Sequence, residues 1–323
     1  MKQLSILLLI VCVSACTNKT TLYQSPPLSG TVINQSSLLA HVKYLASDQL
    51  KGRETDTQGA RASAQYIKNE LINYGIGPLP QVGGYFQSFS YHLGRQKNGT
   101  NVIAYIKGNN ADEILSPRYI VLSAHYDHIG ASGDKVYNGA DDNASGVAAL
   151  LELAKVLKGK TKHDIILVFS DGEEDNLRGA KAFVDELPGI VRDTLLNVNL
   201  DMIAGVKNTS KLSYISHNLD QLLSDQKEEE FLRFQYSSWV PVQKGFKRER
   251  AAGMWNKRRW KLASDHGVFY RAGIPFIYFG VGTHQHYHQT SDTYDNINKE
   301  FFWRASNSIY LHLRYLDQHI GVK

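Results

Sequence analysis

Two histidines and a set of carboxylates stand where four apolar runs of this chain end. His125-Tyr126-Asp127 follows the run 119–124, and Asp171-Gly172-Glu173-Glu174 follows the run 164–170. Asp201 follows the run 196–200, and a histidine-rich stretch ending at His288 comes shortly after the run 275–280. Ligands in open α/β sheets bind beyond the carboxyl ends of the strands. If these runs are strands, their trailing side chains meet at one edge. A fifth contribution is Gly139-Ala140-Asp141-Asp142-Asn143-Ala144-Ser145-Gly146, a loop of small residues opening a helix. Singly, each has a bland explanation: acids before a helix favour its dipole, Asp or Asn can cap it, and a histidine after a strand is usually structural. Five such features aimed at one edge point to a site.

Nitrogen and oxygen donors without thiolates suit zinc, with cobalt or manganese as alternatives. Two histidines and several carboxylates exceed the needs of one ion. A bridging carboxylate would hold two ions ~3.5–4 Å apart, an arrangement that clamps and activates a water. The chemistry expected is hydrolysis.

The elements that must position these residues are legible as well. Runs rich in β-branched residues at 101–106, 119–124, 164–170, 196–200 and 275–280 alternate with helical periodicity at 58–74, 144–157, 177–187 and 300–319. Continuously apolar strands alternating with helices indicate a mainly parallel central sheet covered on both faces, hence an α/β fold in a single domain. The stretch 203–262 resists assignment. It holds a possible strand at 212–215, an acidic run at 225–230 and a basic run at 244–261, and it reads as a partly irregular excursion.

His-Tyr-Asp, Gly-Ala-Asp-Asp-Asn-Ala-Ser-Gly, Asp-Gly-Glu-Glu, Asn-Leu-Asp-Met and Tyr-His-Gln-Thr-Ser-Asp-Thr occur here in that order. In this the chain resembles the co-catalytic zinc aminopeptidases of metallopeptidase family twenty-eight, which are related to glutamate carboxypeptidase II and glutaminyl cyclase. The resemblance covers about residues 40 to 318 and implies a zinc-exopeptidase fold with two zinc ions per chain. It makes Asp142 the bridging carboxylate, completes one metal with Glu174 and His288, and completes the other with His125 and Asp201. It puts the general base at Glu173, taking a proton from a water activated between the metals. Asp127 then orients the His125 imidazole, and Tyr287 donates a hydrogen bond to the developing oxyanion. A cis peptide at Asp142-Asn143 is also implied. Asp265 and His266 fall near the pocket without a ligand role. His128, His284 and His286 match no ligand position and are expected to be solvated loop residues.

The start of the chain bears on compartment. Met1-Lys2, a short apolar run and Val13-Ser14-Ala15-Cys16 describe an export signal, and the run is too short to span a bilayer. Val-Ser-Ala-Cys also resembles the lipobox of bacterial lipoproteins. The expected division is a lipoprotein signal peptide at 1–15, a flexible tether at 16–35 and a zinc peptidase domain at 36–323. Cys16 would be lipidated, and the chain exported and anchored to the cell envelope, with Thr17 leaning toward the outer membrane. Cys12 and Cys16 are the only cysteines, so the domain contains no disulfide.

Net charge is +5; the run 244–261 has eight basic residues and one acid, which makes it +7 and the remainder −2. A nucleic-acid partner would need a wider basic surface, so the expected partners are peptides and, through Cys16, the membrane. An aminopeptidase is the leading reading. The alternatives are a glutaminyl cyclase-like acyltransferase, a carboxypeptidase using Arg248, Arg250, Arg258 and Arg259 to grip a terminal carboxylate, and a binding lipoprotein without catalysis.

Overall fold

The computed structural model describes residues 30–109, 118–234, 238–246, 249–251, 254–256 and 260–321. The signal, Cys16 and most of the tether lie outside the described residues, as do Arg248, Arg258 and Arg259. Ile33, assigned from sequence to the tether, is buried, and the backbone N–H groups of Val32 and Ile33 donate to Asn307 Oδ1. The packed region therefore begins a few residues before 36.

In chain order the first elements are α1 (Gln35–Leu45), α2 (Gln58–Asn73), β1 (Gly77–Pro78), β2 (Phe86–Leu93), β3 (Arg95–Ile106) and β4 (Tyr119–His125). A short hairpin follows, β5 (Ala131–Ser132) with β6 (Lys135–Val136). Next are α3 (Gly146–Leu157), β7 (Asp164–Ser170), α4 (Arg178–Glu186), α5 (Pro188–Arg192), β8 (Thr194–Leu200) and β9 (Leu212–His217). The chain continues through α6 (Asp225–Phe234), β10 (Val242–Lys244), β11 (Glu249–Ala251), β12 (Met254–Asn256), α7 (His266–Arg271), β13 (Phe276–Gly280) and α8 (Lys299–His319). Among these, no helix is long and apolar enough to cross a membrane.

The nine-stranded sheet has the order β1-β3-β7-β4-β8-β13-β9-β10, with β2 also paired to β3. Its centre, β7-β4-β8-β13, is parallel. β3 joins β7 antiparallel, and β9 joins β13 antiparallel. The expected mainly parallel sheet is thus parallel where the site residues leave it; β3 and β9 flank that centre antiparallel, and β10 at the edge runs parallel to β9.

Period-two alternation decides what each face buries. Ile120, Leu122 and Ala124 of β4, with Leu167 and Phe169 of β7, pack in the larger core. That core also takes Leu38 and Val42 of α1, Leu150 and Leu153 of α3, and Phe302 and Ile309 of α8. Val121, Ile166 and Val168 face the other way, onto Phe183 of α4 and Phe269 of α7. β8 differs on that second face, where it presents Asn197 and Asn199. Both are buried and donate from Nδ2 to Ser123 Oγ and Ser264 Oγ respectively, while Asn197 Oδ1 is buried without a hydrogen-bond partner among the described residues.

The stretch 203–262 is more regular than its sequence indicates. It contributes β9 and β10 to the sheet edge, and Leu212, Tyr214, Phe231 and Val242 to the larger core.

Candidate metal centre

The strand ends converge as the sequence implies. His125 is the last residue of β4, Glu173 and Glu174 follow β7, Asp201 follows β8, and His288 lies in the loop after β13. Asp142 comes from the turn before α3, and the Asp142-Asn143 peptide is cis, as the resemblance implies.

The turn is fastened to the loop after β8 by side chains that leave the Asp142 carboxylate unspent. Asn143 Nδ2 donates to Leu200 O at 2.9 Å, and Asn143 Oδ1 accepts from the N–H of Met202 and of Gly146. Asp141 Oδ1 accepts from Ala204 N at 2.7 Å, and Asp141 Oδ2 lies 2.8 Å from His284 Nε2. From below, the two oxygens of Asp292 accept the N–H groups of Asp141 and Asp142.

The Asp142 carboxylate faces two groups of donors. His125 Nε2 lies 3.5 Å from Asp142 Oδ1 and 3.6 Å from Asp201 Oδ1. His288 Nε2 lies 3.2 Å from Asp142 Oδ2 and 3.2 Å from Glu174 Oε2. Asp201 Oδ1 is buried without a hydrogen-bond partner among the described residues. A buried anionic oxygen in that condition is costly unless a cation meets it. His125, Asp142 and Asp201 offer atoms that all lie within 4.8 Å of one another, and so do His128, Asp142 and Glu174. The donor set fits two cations sharing Asp142.

Asp127 is placed differently from its expected role alone. His125 Nδ1 is 3.2 Å from the Asp127 backbone carbonyl and 3.6 Å from its carboxylate, so the closer contact is to the main chain. The carboxylate accepts from the N–H groups of Glu173 and Glu174 at 3.1 and 3.2 Å. Asp127 therefore ties the β4 end to the β7 end as well as facing the imidazole.

A cavity of about 50 Å³ opens onto these groups, lined by Glu173, Met202, Trp260, Tyr278 and Tyr287 in addition to the donors. The Tyr287 ring stacks on His288 with centroids 3.8 Å apart. Trp260 and Phe246, both from the basic run, stack at 4.2 Å, and Phe246 stacks in turn on Tyr278. Trp260 also borders a second cavity of about 310 Å³ that includes Phe246, Gln243 and Lys211. Asp265 and His266 are fully buried behind this wall. Asp265 accepts a hydrogen bond from Ser170, and His266 Nε2 meets Trp260 O at 2.7 Å.

Charge in the metal-free site is unevenly shared. Burial pushes Glu173 well above the usual carboxylate range; His125 counters this, and Glu174 and Asp201 add to it. Burial opposes ionisation of Glu174 too, but the hydrogen bonds from His128 and His288 outweigh it and hold that group below the usual range. Adjacent glutamates in one turn thus have opposite tendencies, the pattern expected where one group carries protons and the other holds a cation.

Two residues that sequence reading missed shape the site. Arg53 is buried and donates to four backbone carbonyls: Tyr126 at 2.7 Å, Leu45 at 2.6 Å, Asn138 at 2.5 Å and Gly139 at 2.9 Å. It joins the His125–Asp127 segment to the chain that leads into Asp142. A lone arginine in a polar stretch gives no local sign of burial. His128 is also missed: expected to be solvated, it is 1 % exposed and lies 2.9 Å from Glu174 Oε1. Nor are His284 and His286 free in solvent, since His284 is held by Asp141 and His286 by Ser291.

The model of Peptidase family M28 matches residues 101–312. The chain belongs to that family. Among curated proteins, the alkaline phosphatase isozyme conversion protein of Escherichia coli is 30% identical over 175 residues, 48% of each chain. A vacuolar membrane protease of Ajellomyces dermatitidis is 31% identical over 139 residues, 39% of this chain and 12% of that one. The chain therefore spans about half or less of these relatives. Of solved structures, a zinc aminopeptidase from Bacillus subtilis superposes with a TM-score of 0.68 at 16% identity, covering 91% of this chain and 100% of that one. The glutaminyl cyclase of Fimbriiglobus ruber gives 0.67 at 18% identity, covering 91% and 97%. At such identities the likeness establishes the fold, which the zinc aminopeptidase and the cyclase share.

Proposed function

We propose that this M28 chain is a two-zinc exopeptidase that removes N-terminal residues from peptides. The observation that carries the reading is the Asp142 carboxylate, with one oxygen toward His125 and Asp201 and the other toward Glu174 and His288. His125, Asp142 and Asp201 would hold one ion, and Asp142, Glu174 and His288 the other. Zinc in such a pair lowers the pKa of a water and polarises the scissile carbonyl.

The remaining work belongs to the chain's own groups. Glu173 lines the cavity beside both clusters and is not committed to a ligand contact. It takes the proton of the attacking water and returns it to the leaving amine, a general base whose affinity for protons burial has already raised. Tyr287, held against His288 by stacking, lies at the cavity wall where its hydroxyl would donate to the developing oxyanion. Trp260 and Tyr278 bound the cavity, with Phe246 stacked on both. The Val13-Ser14-Ala15-Cys16 motif supports export and anchoring through a lipidated Cys16.

The test is a panel of dipeptide amides and longer peptides with free or blocked ends. Hydrolysis should require a free N-terminus and tolerate a blocked C-terminus. Release of C-terminal residues from N-blocked peptides would make it a carboxypeptidase. Loss of ammonia from N-terminal glutamine without peptide cleavage would make it a cyclase.

A further inference from the structure

His128 belongs to no expected ligand set, yet its ring is buried against the candidate metal centre. Gly139 lies flat on that ring: its φ is +58°, and a Cβ there would fall 2.6 Å from His128 Cγ and 2.2 Å from Asp142 O. Space for the imidazole therefore depends on a missing side chain. His128 Nδ1 is 2.9 Å from Glu174 Oε1 but 3.8 Å from Asp142 Oδ2. The other Glu174 oxygen, Oε2, is the one 3.2 Å from His288 Nε2. His128 Nε2 is buried with no hydrogen-bond partner among the described residues.

These distances separate two roles. A ligand of the shared ion should face both carboxylates that hold it, as His288 Nε2 does at 3.2 Å from each, whereas His128 Nδ1 makes a close contact only with the outer oxygen of Glu174. The contact is favourable only with a proton on Nδ1, which makes Nδ1–H the donor and places the lone pair on the unpartnered Nε2. We infer that His128 is a positioning residue: its Nδ1–H occupies Glu174 Oε1, so that Oε2 alone is presented to the ion shared with Asp142 and His288. This rests on the two-ion reading of the site. The arrangement is an outer hydrogen bond that fixes a carboxylate ligand, as imidazole ligands are commonly fixed by carboxylates.

The experiment is a competition titration of zinc against a chromogenic chelator, using the full chain with His128→Leu and His128→Asn. The asparagine amide places a donor near the Nδ1 position, whereas leucine has none. Each variant is also made in an Asp201→Asn background, which weakens the other ion and so assigns the step. Wild type should bind in two steps. With His128→Leu the step that survives Asp201→Asn should weaken by ~10–100-fold, the usual consequence of losing an outer partner, with the other step nearly unchanged. His128→Asn should restore most of the loss. Unchanged binding in His128→Leu would overturn the inference, and so would equal weakening of both steps in a variant with native circular dichroism. If His128→Asn loses the ion as fully as His128→Leu, His128 is itself a ligand and the positioning role falls. Failure of the two-ion reading would show separately, as a single binding step in the wild type.

Discussion

Replacing Arg53 by methionine removes a guanidinium that holds four carbonyls from three segments while leaving its aliphatic volume largely filled. Bonds from a charged donor contribute ~1.5 kcal/mol or more apiece, so four amount to ~6 kcal/mol. Against this stands the burial of the guanidinium, which depresses its pKa to about 10, with Asp292 and Asp142 only partly compensating. Relief of that burial returns ~3 kcal/mol, and the net loss is ~3 kcal/mol. The backbone makes compensation difficult, because Lys51, Gly52 and Arg53 all have left-handed φ values of 46°, 70° and 54°. A Cβ on Gly52 would lie 2.3 Å from Gly130 O, so this run is wedged in place and cannot slide to offer another donor. Urea denaturation in the presence of chelator measures the change free of metal linkage. Arg53→Lys, with one ammonium for four acceptors, should lose nearly as much. Zinc affinity should fall at both sites, because Arg53 joins the segments carrying His125 and Asp142. A loss below ~1 kcal/mol, within the range of ordinary surface substitutions, would show that these carbonyls find other partners and that Arg53 does not set the ligand geometry.

Glu173→Gln should retain zinc while kcat falls by ~10²–10⁴, and Glu174→Gln should lose zinc affinity first; atomic absorption beside steady-state kinetics checks both, and near-normal kcat in Glu173→Gln refutes the assignment. His288 in the metal-free site is lowered by burial but raised more by Asp142 and Glu174, to about 10. A coordinating imidazole must be neutral, so zinc displaces its proton and affinity at that site should climb ~tenfold per pH unit from about pH 6 to about pH 8. Competition titrations that show no pH dependence would refute it. Lys244→Glu with Lys261→Glu, beside the aromatic wall, should raise KM for acidic peptides at low salt and lose that effect at high salt; salt-independent kinetics would make the basic run a solvated loop.

What could be read from sequence was set by how local each signal is. The central strands are buried on both faces, so their apolar runs stand out, and the donors follow directly at their ends. α1 was not legible because its buried face is partly polar: Ser37 and His41 turn inward to meet Glu152 of α3 at 2.6 and 3.3 Å, a pairing across more than a hundred residues. The β2–β3 hairpin was only half seen. Residues 95–100 are polar, and their strand conformation comes from pairing with 88–93. The same holds for the site. His125 and His288 could be placed by their motifs, but nothing near Arg53 or His128 tells that their side chains point inward, since the partners that draw them in come from other segments.

The paired acids show how the chain distinguishes groups that sequence alone leaves equivalent. Asp141 and Asp142 are neighbours, and so are Glu173 and Glu174. Asp141 is consumed within the protein, by Ala204 N–H, by Ser145 and by His284. Among the described residues the Asp142 carboxylate takes no backbone N–H or hydroxyl and faces only imidazoles and other carboxylates. Asp127 and Asp292 likewise spend their oxygens on backbone N–H groups, and those four bonds aim the segments that carry the unspent acids. Burial, then Glu174, raises the Asp142 pKa in the metal-free state, so the unspent acids repel one another unless a proton or a cation intervenes. Folding without metal must hold these acids together with only imidazoles between them. The free energy of ion binding is then partly free energy of folding, and the acids left unspent are the ones through which the two are linked.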